Sequence, residues 1–142
     1  MTWDIARVDG SALDIDEVLA VYQSSGLGHR RPAADRERMA AMVANANLVV
    51  TCRVAGELAG LARSISDFAY VTYLSDIAVS LPFQRSGIGR ALIEATRKEA
   101  PLAKIVLLSA PAATDYYPHI GFSRHDSAWV LNPLALNLTK QY

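Results

Sequence analysis

Between Tyr73 and Thr96 the sequence reads Tyr-Leu-Ser-Asp-Ile-Ala-Val-Ser-Leu-Pro-Phe-Gln-Arg-Ser-Gly-Ile-Gly-Arg-Ala-Leu-Ile-Glu-Ala-Thr. A strand-like stretch enters a loop holding Gly87 and Gly89, and a helix-like stretch leaves it near Arg90. Backbone N–H groups in the first turn of a helix have no intrahelical partner, and the helix dipole adds positive potential there. Such a place suits a phosphate or pyrophosphate. Glycines remove the Cβ atoms that would hold an anion off the backbone, and Arg85 and Arg90 add side-chain charge. A nucleotide P-loop is a poor match, because its Gly-Lys pair is missing from Gly87-Ile88-Gly89-Arg90. A dinucleotide fingerprint needs a third glycine where Leu92 stands.

The elements that must position this loop can be read from periodicity. Trp3 to Val8 reads as an opening strand, and a helix capped by Asp14 or Asp16 runs to about Gln23, with Ile15, Val18, Leu19 and Tyr22 at helical spacing. Ser24 to Arg31 is a loop, and a second helix spans Ala33 to Ala46. Leu48 to Val54, a turn at Ala55-Gly56-Glu57 and Leu58 to Ser64 make a hairpin. Tyr70 to Val79 is the next strand, Pro82 to Gly89 the loop, and Arg90 to Glu99 a helix stopped near Pro101. Lys104 to Ser109 as a strand, Ala112 to Ile120 as a short helix and Ala128 to Leu131 as a last strand complete the order. The fold class is α/β with a mixed sheet, in one domain spanning residues 1–142.

Composition narrows the partners. Fourteen Lys and Arg balance fourteen Asp and Glu, so no surplus of positive charge is available for a general nucleic-acid surface. No apolar run approaches the roughly 20 residues needed to cross a bilayer, and the start MTWDIARVDG lacks the pattern of a signal peptide. The single cysteine, Cys52, fits a reducing cytoplasm and reads as a small core residue. His29, His119 and His125 show no zinc-site spacing, so no metal is expected. Arg30, Arg31, Arg36 and Arg38 read as a solvated face, and Met39 and Met42 as core.

The loop resembles the pyrophosphate-binding motif of the GNAT superfamily of acyl-CoA-dependent N-acetyltransferases, whose pattern [RQ]-x-x-G-x-[GA] is met by Gln84, Gly87 and Gly89. The preceding strand, Pro82 and the subsequent helix supply its context. Asp115-Tyr116-Tyr117-Pro118-His119-Ile120-Gly121-Phe122 is similar to the family's C-terminal element A-x-x-[FY]-Y-x-x-x-G-F, and the order of elements agrees across nearly the whole chain. Gly60-Leu-Ala-Arg63-Ser-Ile-Ser-Asp67 with Leu74 to Val79 also looks like a subgroup of bacterial acetyltransferases and plant plastid enzymes acting on arylalkylamines and lysine. The resemblance implies a mostly antiparallel sheet splayed at the coenzyme site, acetyl-CoA as cosubstrate, and direct acetyl transfer to a primary amine.

The same resemblance distributes roles. The backbone of Arg85, Ser86, Gly87, Ile88, Gly89 and Arg90, with Gln84, would hold the pyrophosphate. Ile77, Ala78 and Val79 would pair with the pantetheine amides, the Ile77 N–H facing the thioester oxygen. Tyr117 would be the acid that protonates the leaving thiolate, its phenol staying protonated at neutral pH. Tyr116, its neighbour at the coenzyme, would carry that role if the register is off by one, and the alternative for Tyr117 is a half-buried packing aromatic. Asp76 is the best-placed carboxylate for a base, although a strand Asp can also organise a bulge. Tyr73 stands where some histone-type relatives carry a glutamate base, and Glu57 is expected to face solvent. Ser109 stands where relatives place an asparagine that touches pantetheine, or is a plain strand-end serine, and Arg63 is expected to pair with Asp67 rather than to order the acceptor side with it. The acceptor is expected to be a small amine, aromatic or aliphatic given Tyr22, Phe68, Tyr70 and Tyr73. A lapsed acyl-CoA-binding module and an acetyltransferase of protein lysines or N-termini are the alternatives. A homodimer is the family expectation.

Overall fold

The computed structural model describes residues 1–134 and divides after Leu107 into two units. The first holds a five-stranded sheet in the order β1 (Asp4–Val8), β2 (Leu48–Val54), β3 (Glu57–Ser66), β4 (Val71–Val79) and β5 (Lys104–Val106). The first four strands are antiparallel, and β5 is parallel to β4. Two helices, α1 (Ile15–Ser25) and α2 (Arg36–Asn45), come between β1 and β2, and α3 (Ile88–Glu99) lies between β4 and β5.

Local chemistry sets the helix ends. The Asp14 carboxylate accepts the Asp16 N–H and opens α1, which stops at Gly26 in a left-handed turn with φ +86°. Asp35 caps α2 by accepting the Arg38 N–H at 3.1 Å, so that helix starts three residues later than the expected Ala33. Gly87, with φ +93°, is the residue before α3, which begins at Ile88 and not at Arg90.

Burial follows the alternation of the strands. Val18, Val21 and Tyr22 of α1 and Met39 and Val43 of α2 close over Val49, Leu61 and Ala78. Gly60, the neighbour of Leu61, points to the other face, where an added Cβ would lie 3.3 Å from Leu92 of α3 and 2.9 Å from the Ala78 carbonyl oxygen. A side chain there would push apart β3, β4 and α3 together. Cys52 is buried in β2 with no exposure, and burial pushes its thiol above the usual thiol range, helped by the charge of Asp4.

Two strands depart from regular pairing. Between Arg53 and Cys52 of β2 the register skips Ala59, and between Arg63 and Ser64 of β3 it skips Ser75. An extra residue of this kind is a β-bulge, which reverses side-chain parity beyond it.

In the second unit a single 3-10 turn at Pro111–Ala113 precedes α4 (Tyr116–His119). The expected helix from Ala112 to Ile120 is therefore split. The expected strand to Ser109 ends at Val106, because pairing with β4 stops opposite Tyr73, just before the bulge. Ala128 to Leu131 forms no strand among the described residues: Trp129 is 92% exposed and Leu131 98%, with no ladder to hold them. Among the described residues no helix is long and apolar enough to cross a membrane.

Candidate functional site

The bulge and the splay occur at one place. β4 pairs with β5 only from Val71 to Tyr73, yet it continues to Val79. The Ser80 N–H donates to Ala59 O at 2.8 Å. In an extended strand, alternate residues then aim their N–H and C=O the opposite way. Ile77 and Val79 consequently direct theirs away from β3, toward the side that β5 has left. Ile77 and Val79 are half-buried, and Ala78 between them is buried against α1 and α2.

The strand runs into the glycine loop through a 3-10 turn, Leu81–Phe83. The Gln84 side-chain amide donates back to Val79 O at 2.9 Å, and the Ser86 hydroxyl to Phe83 O at 2.5 Å. Both side chains thus fold the loop onto itself. Arg85 is held at φ +60°, a conformation a branched or bulky residue rarely adopts. The first backbone bond of α3 runs from the Ala91 N–H to Gly87 O. The N–H groups of Ile88, Gly89 and Arg90 fall in the turn before it, where a helix supplies no partner. Arg85 and Arg90 are exposed.

Asp76 is 1% exposed and lies at the centre of a charged cluster. Its Oδ1 accepts from Arg31 Nε at 2.5 Å, and its Oδ2 from Arg63 Nε and the Tyr22 hydroxyl, both at 2.6 Å. Burial alone would raise the Asp76 carboxyl, but the charges of Arg63 and Arg31 and the bonds they make hold it below the usual carboxylate range. The Tyr22 hydroxyl is pushed well above the phenol range by burial and by the adjacent carboxylate. The expected Arg63–Asp67 pair is not formed. Arg63 faces Asp76 directly across the β3–β4 ladder, and Asp67 instead accepts the N–H groups of Ala69, Tyr70 and Val71 in the turn between the strands.

Arg31 and Tyr22 are the residues that sequence reasoning placed elsewhere. Arg31 read as part of a solvated face, yet its side chain is only 18% exposed. The available signal was the buried carboxylate itself, since an Asp in an otherwise apolar strand requires cationic partners from somewhere. Arg36 does lie at the surface, paired with Asp16. Tyr73 is 37% exposed, and Glu57 faces solvent.

In the second unit Tyr117 is half-buried in α4, its ring edge-on to Tyr116 and to Phe122 at 5.4 Å between centroids. The Tyr117 carbonyl accepts the N–H groups of Ile120 and Phe122, both at 3.1 Å, around Gly121 at φ +98°. Burial first and the neighbouring Tyr116 second push the Tyr117 phenol above its ordinary value. Ser109 is half-buried and outside any strand. Among the described residues no group of three or more His, Cys, Asp or Glu is placed to hold a metal ion.

A family model described as an acetyltransferase (GNAT) domain matches residues 18–134. A GNAT-family acetyltransferase from Streptococcus pneumoniae superposes with a TM-score of 0.71 at 17% identity, over 93% of this chain and 100% of that one. The ribosomal-protein-S18-alanine N-acetyltransferase from Escherichia coli gives 0.70 at 24% identity, over 87% and 79%. An aminoglycoside N-acetyltransferase, AAC(6')-Iy, in complex with CoA gives 0.70 at 15% identity, over 94% and 96%. At these identities the likeness is one of fold.

Proposed function

The chain belongs to the GNAT acetyltransferase family, a family of acyl-CoA N-acyltransferases, and from that premise we propose that it transfers the acetyl group of acetyl-CoA directly to a primary amine of a small molecule. The observation that carries the reading is the edge of β4 that no described strand pairs beyond Tyr73, with Ile77 and Val79 directed outward, leading straight into the Gln84–Arg90 loop. An open strand edge accepts an extended amide-bearing chain as it would another strand, and the loop offers N–H groups to a pyrophosphate. Coenzyme A has both parts in that order. The bound coenzyme supplies an activated thioester carbonyl and a thiol leaving group.

The chain's own residues then divide the work. The Ile77 N–H aims at the carbonyl oxygen and stabilises charge developing there. Tyr117, kept protonated by its surroundings, donates its proton to the departing sulfur. Asp76 receives a different part from the one the sequence suggested. Its two oxygens already accept four hydrogen bonds, the fourth from the Ser75 hydroxyl, and its proton affinity is lowered, so it is a poor acceptor for a proton from the amine. We assign it to holding Arg31, Arg63 and Tyr22 together, and leave the amine to lose its proton to water. The family model spans the division at Leu107, which supports treating both units as parts of one domain.

The test is the melting temperature with and without acetyl-CoA. At 100 times its dissociation constant a ligand stabilises by roughly 2.7 kcal/mol, a shift that scanning fluorimetry reads easily. An upward shift with acetyl-CoA, followed by thiol release on adding amines, is the expected result. No shift at millimolar coenzyme would overturn the reading.

A further inference from the structure

We infer that Arg31 is a positioning residue for acetyl transfer, which clamps the bulged Ser75 of β4 and so fixes the direction of the Ile77 N–H; the inference rests on the coenzyme reading above.

A bulged residue leaves backbone groups without ladder partners. At Ser75 the orphan is the carbonyl, and Arg31 Nη2 donates to it at 2.7 Å. The same guanidinium donates through Nε to Asp76 Oδ1 and through Nη1 to Arg30 O at 2.8 Å. The fork therefore spans two consecutive residues of β4, one by backbone and one by side chain. Arg63 completes the clamp from β3, donating to the Ser75 hydroxyl at 2.8 Å and to Asp76 Oδ2. Ile77 is the next residue along.

The clamp is needed where it is because the sheet gives little other support. β5 has left β4 after Tyr73, so among the described residues the strand is held from Leu74 onward by a ladder on one side only. A strand held on one edge twists and frays more readily than one held on both. Arg31 reaches this point from the connection between α1 and α2, in a 3-10 turn and extended residues with little ladder or helix bonding of their own. One side chain thus ties that connection to the bulge. The guanidinium meets Asp76 Oδ1 and the Ser75 carbonyl through two nitrogens held in one rigid plane, a geometry that the single nitrogen of an ammonium on a flexible stem does not reproduce.

Three proteins test this: the wild type, Arg31→Ala and Arg31→Lys. Each is titrated with acetyl-CoA by calorimetry. The carbonyl stretch of bound acetyl-CoA, 13C-labelled at the carbonyl, is read by infrared difference spectroscopy. In the wild type the stretch shifts to lower frequency, as a hydrogen-bonded carbonyl does. In Arg31→Ala the shift is lost while coenzyme affinity is nearly unchanged, because the Gln84–Arg90 loop is intact. Millimolar methylguanidinium restores the shift in Arg31→Ala. Arg31→Lys loses it too, and serves if the alanine variant does not fold. In the coenzyme-free variants, amide exchange at Asp76 quickens by about tenfold or more. A variant that keeps the full carbonyl shift overturns the inference, as does one that loses coenzyme binding outright. If the wild type itself neither binds acetyl-CoA nor shifts its carbonyl, the functional reading fails first, and the inference falls with it.

Discussion

Replacing Asp76 with Asn removes the one negative charge shared by the buried guanidinium of Arg63 and the partly buried one of Arg31. The Asp76 side chain is fully buried, and those of Arg63 and Arg31 are 9% and 18% exposed, so solvent screens the exchange little. Breaking a buried ion pair from one side costs about 3–5 kcal/mol, because an uncompensated charge remains. Asn keeps one acceptor oxygen, which places Asp76→Asn at the lower end and Asp76→Ala at the upper. At about 3 °C per kcal/mol for a chain of this length, the melting temperature falls by roughly 10–15 °C. The pH dependence gives a second handle on the same variant. The folded carboxyl titrates below its ordinary value, so its stabilisation is complete above the unfolded-state value of about 3.9 and disappears as pH falls through the lowered folded value. The gap between wild type and Asp76→Asn should stay constant from neutral pH down to about 5 and then close. Thermal melts of both proteins across that range read both quantities. A loss smaller than about 1 kcal/mol, or a gap that widens in acid, would refute the picture of a sealed cluster with Asp76 as its only anion.

Three further variants probe the coenzyme side. Tyr117→Phe should bind acetyl-CoA as the wild type does but turn over about 10²–10⁴-fold more slowly, as expected for removal of a general acid. Because the Tyr117 phenol is raised, activity that depends on it should persist to the alkaline side and decline only above about pH 10, as the proton is lost. Unchanged turnover would end the acid assignment. Gly87→Ala should cost about 1–2 kcal/mol from the φ of +93° alone and weaken coenzyme binding as the loop shifts, whereas Gly89→Ala, at a position without positive φ, should escape that backbone cost. Equal melting temperatures for Gly87→Ala and wild type would show that the loop accommodates a side chain there.

What was legible in the residues was mainly local. The run Leu48 to Val54 and its turn declare a hairpin by composition, and the turn residues Ala55 and Gly56 take φ +49° and +82°. Asp14 announced the start of α1 because its side chain caps the neighbouring amides. The glycine loop was legible for the same reason, since its shape depends on backbone freedom within a few residues. The cluster around Asp76 was not. Arg31 lies 45 positions from Asp76 and Tyr22 lies 54 away, and no short-range pattern joins them. The bulge hid a second relation. Strict alternation would put Tyr73 and Asp76 on opposite faces, but they pair with Ile65 and Arg63, two apart on β3, and so share one. Composition invites a strand at Ala128 to Leu131, but a strand exists only with a partner, which the residues themselves do not name.

The buried Cys52 has a practical consequence for the bench. It is the only thiol in the chain, has no exposure, and resists ionisation. A colorimetric thiol reagent added to the native protein therefore sees no protein signal, and any colour that develops in an acetyl-transfer assay reports liberated coenzyme alone. The same reagent gains one equivalent per chain when the fold opens, so inactivation by denaturation and true loss of catalysis can be told apart in a single cuvette.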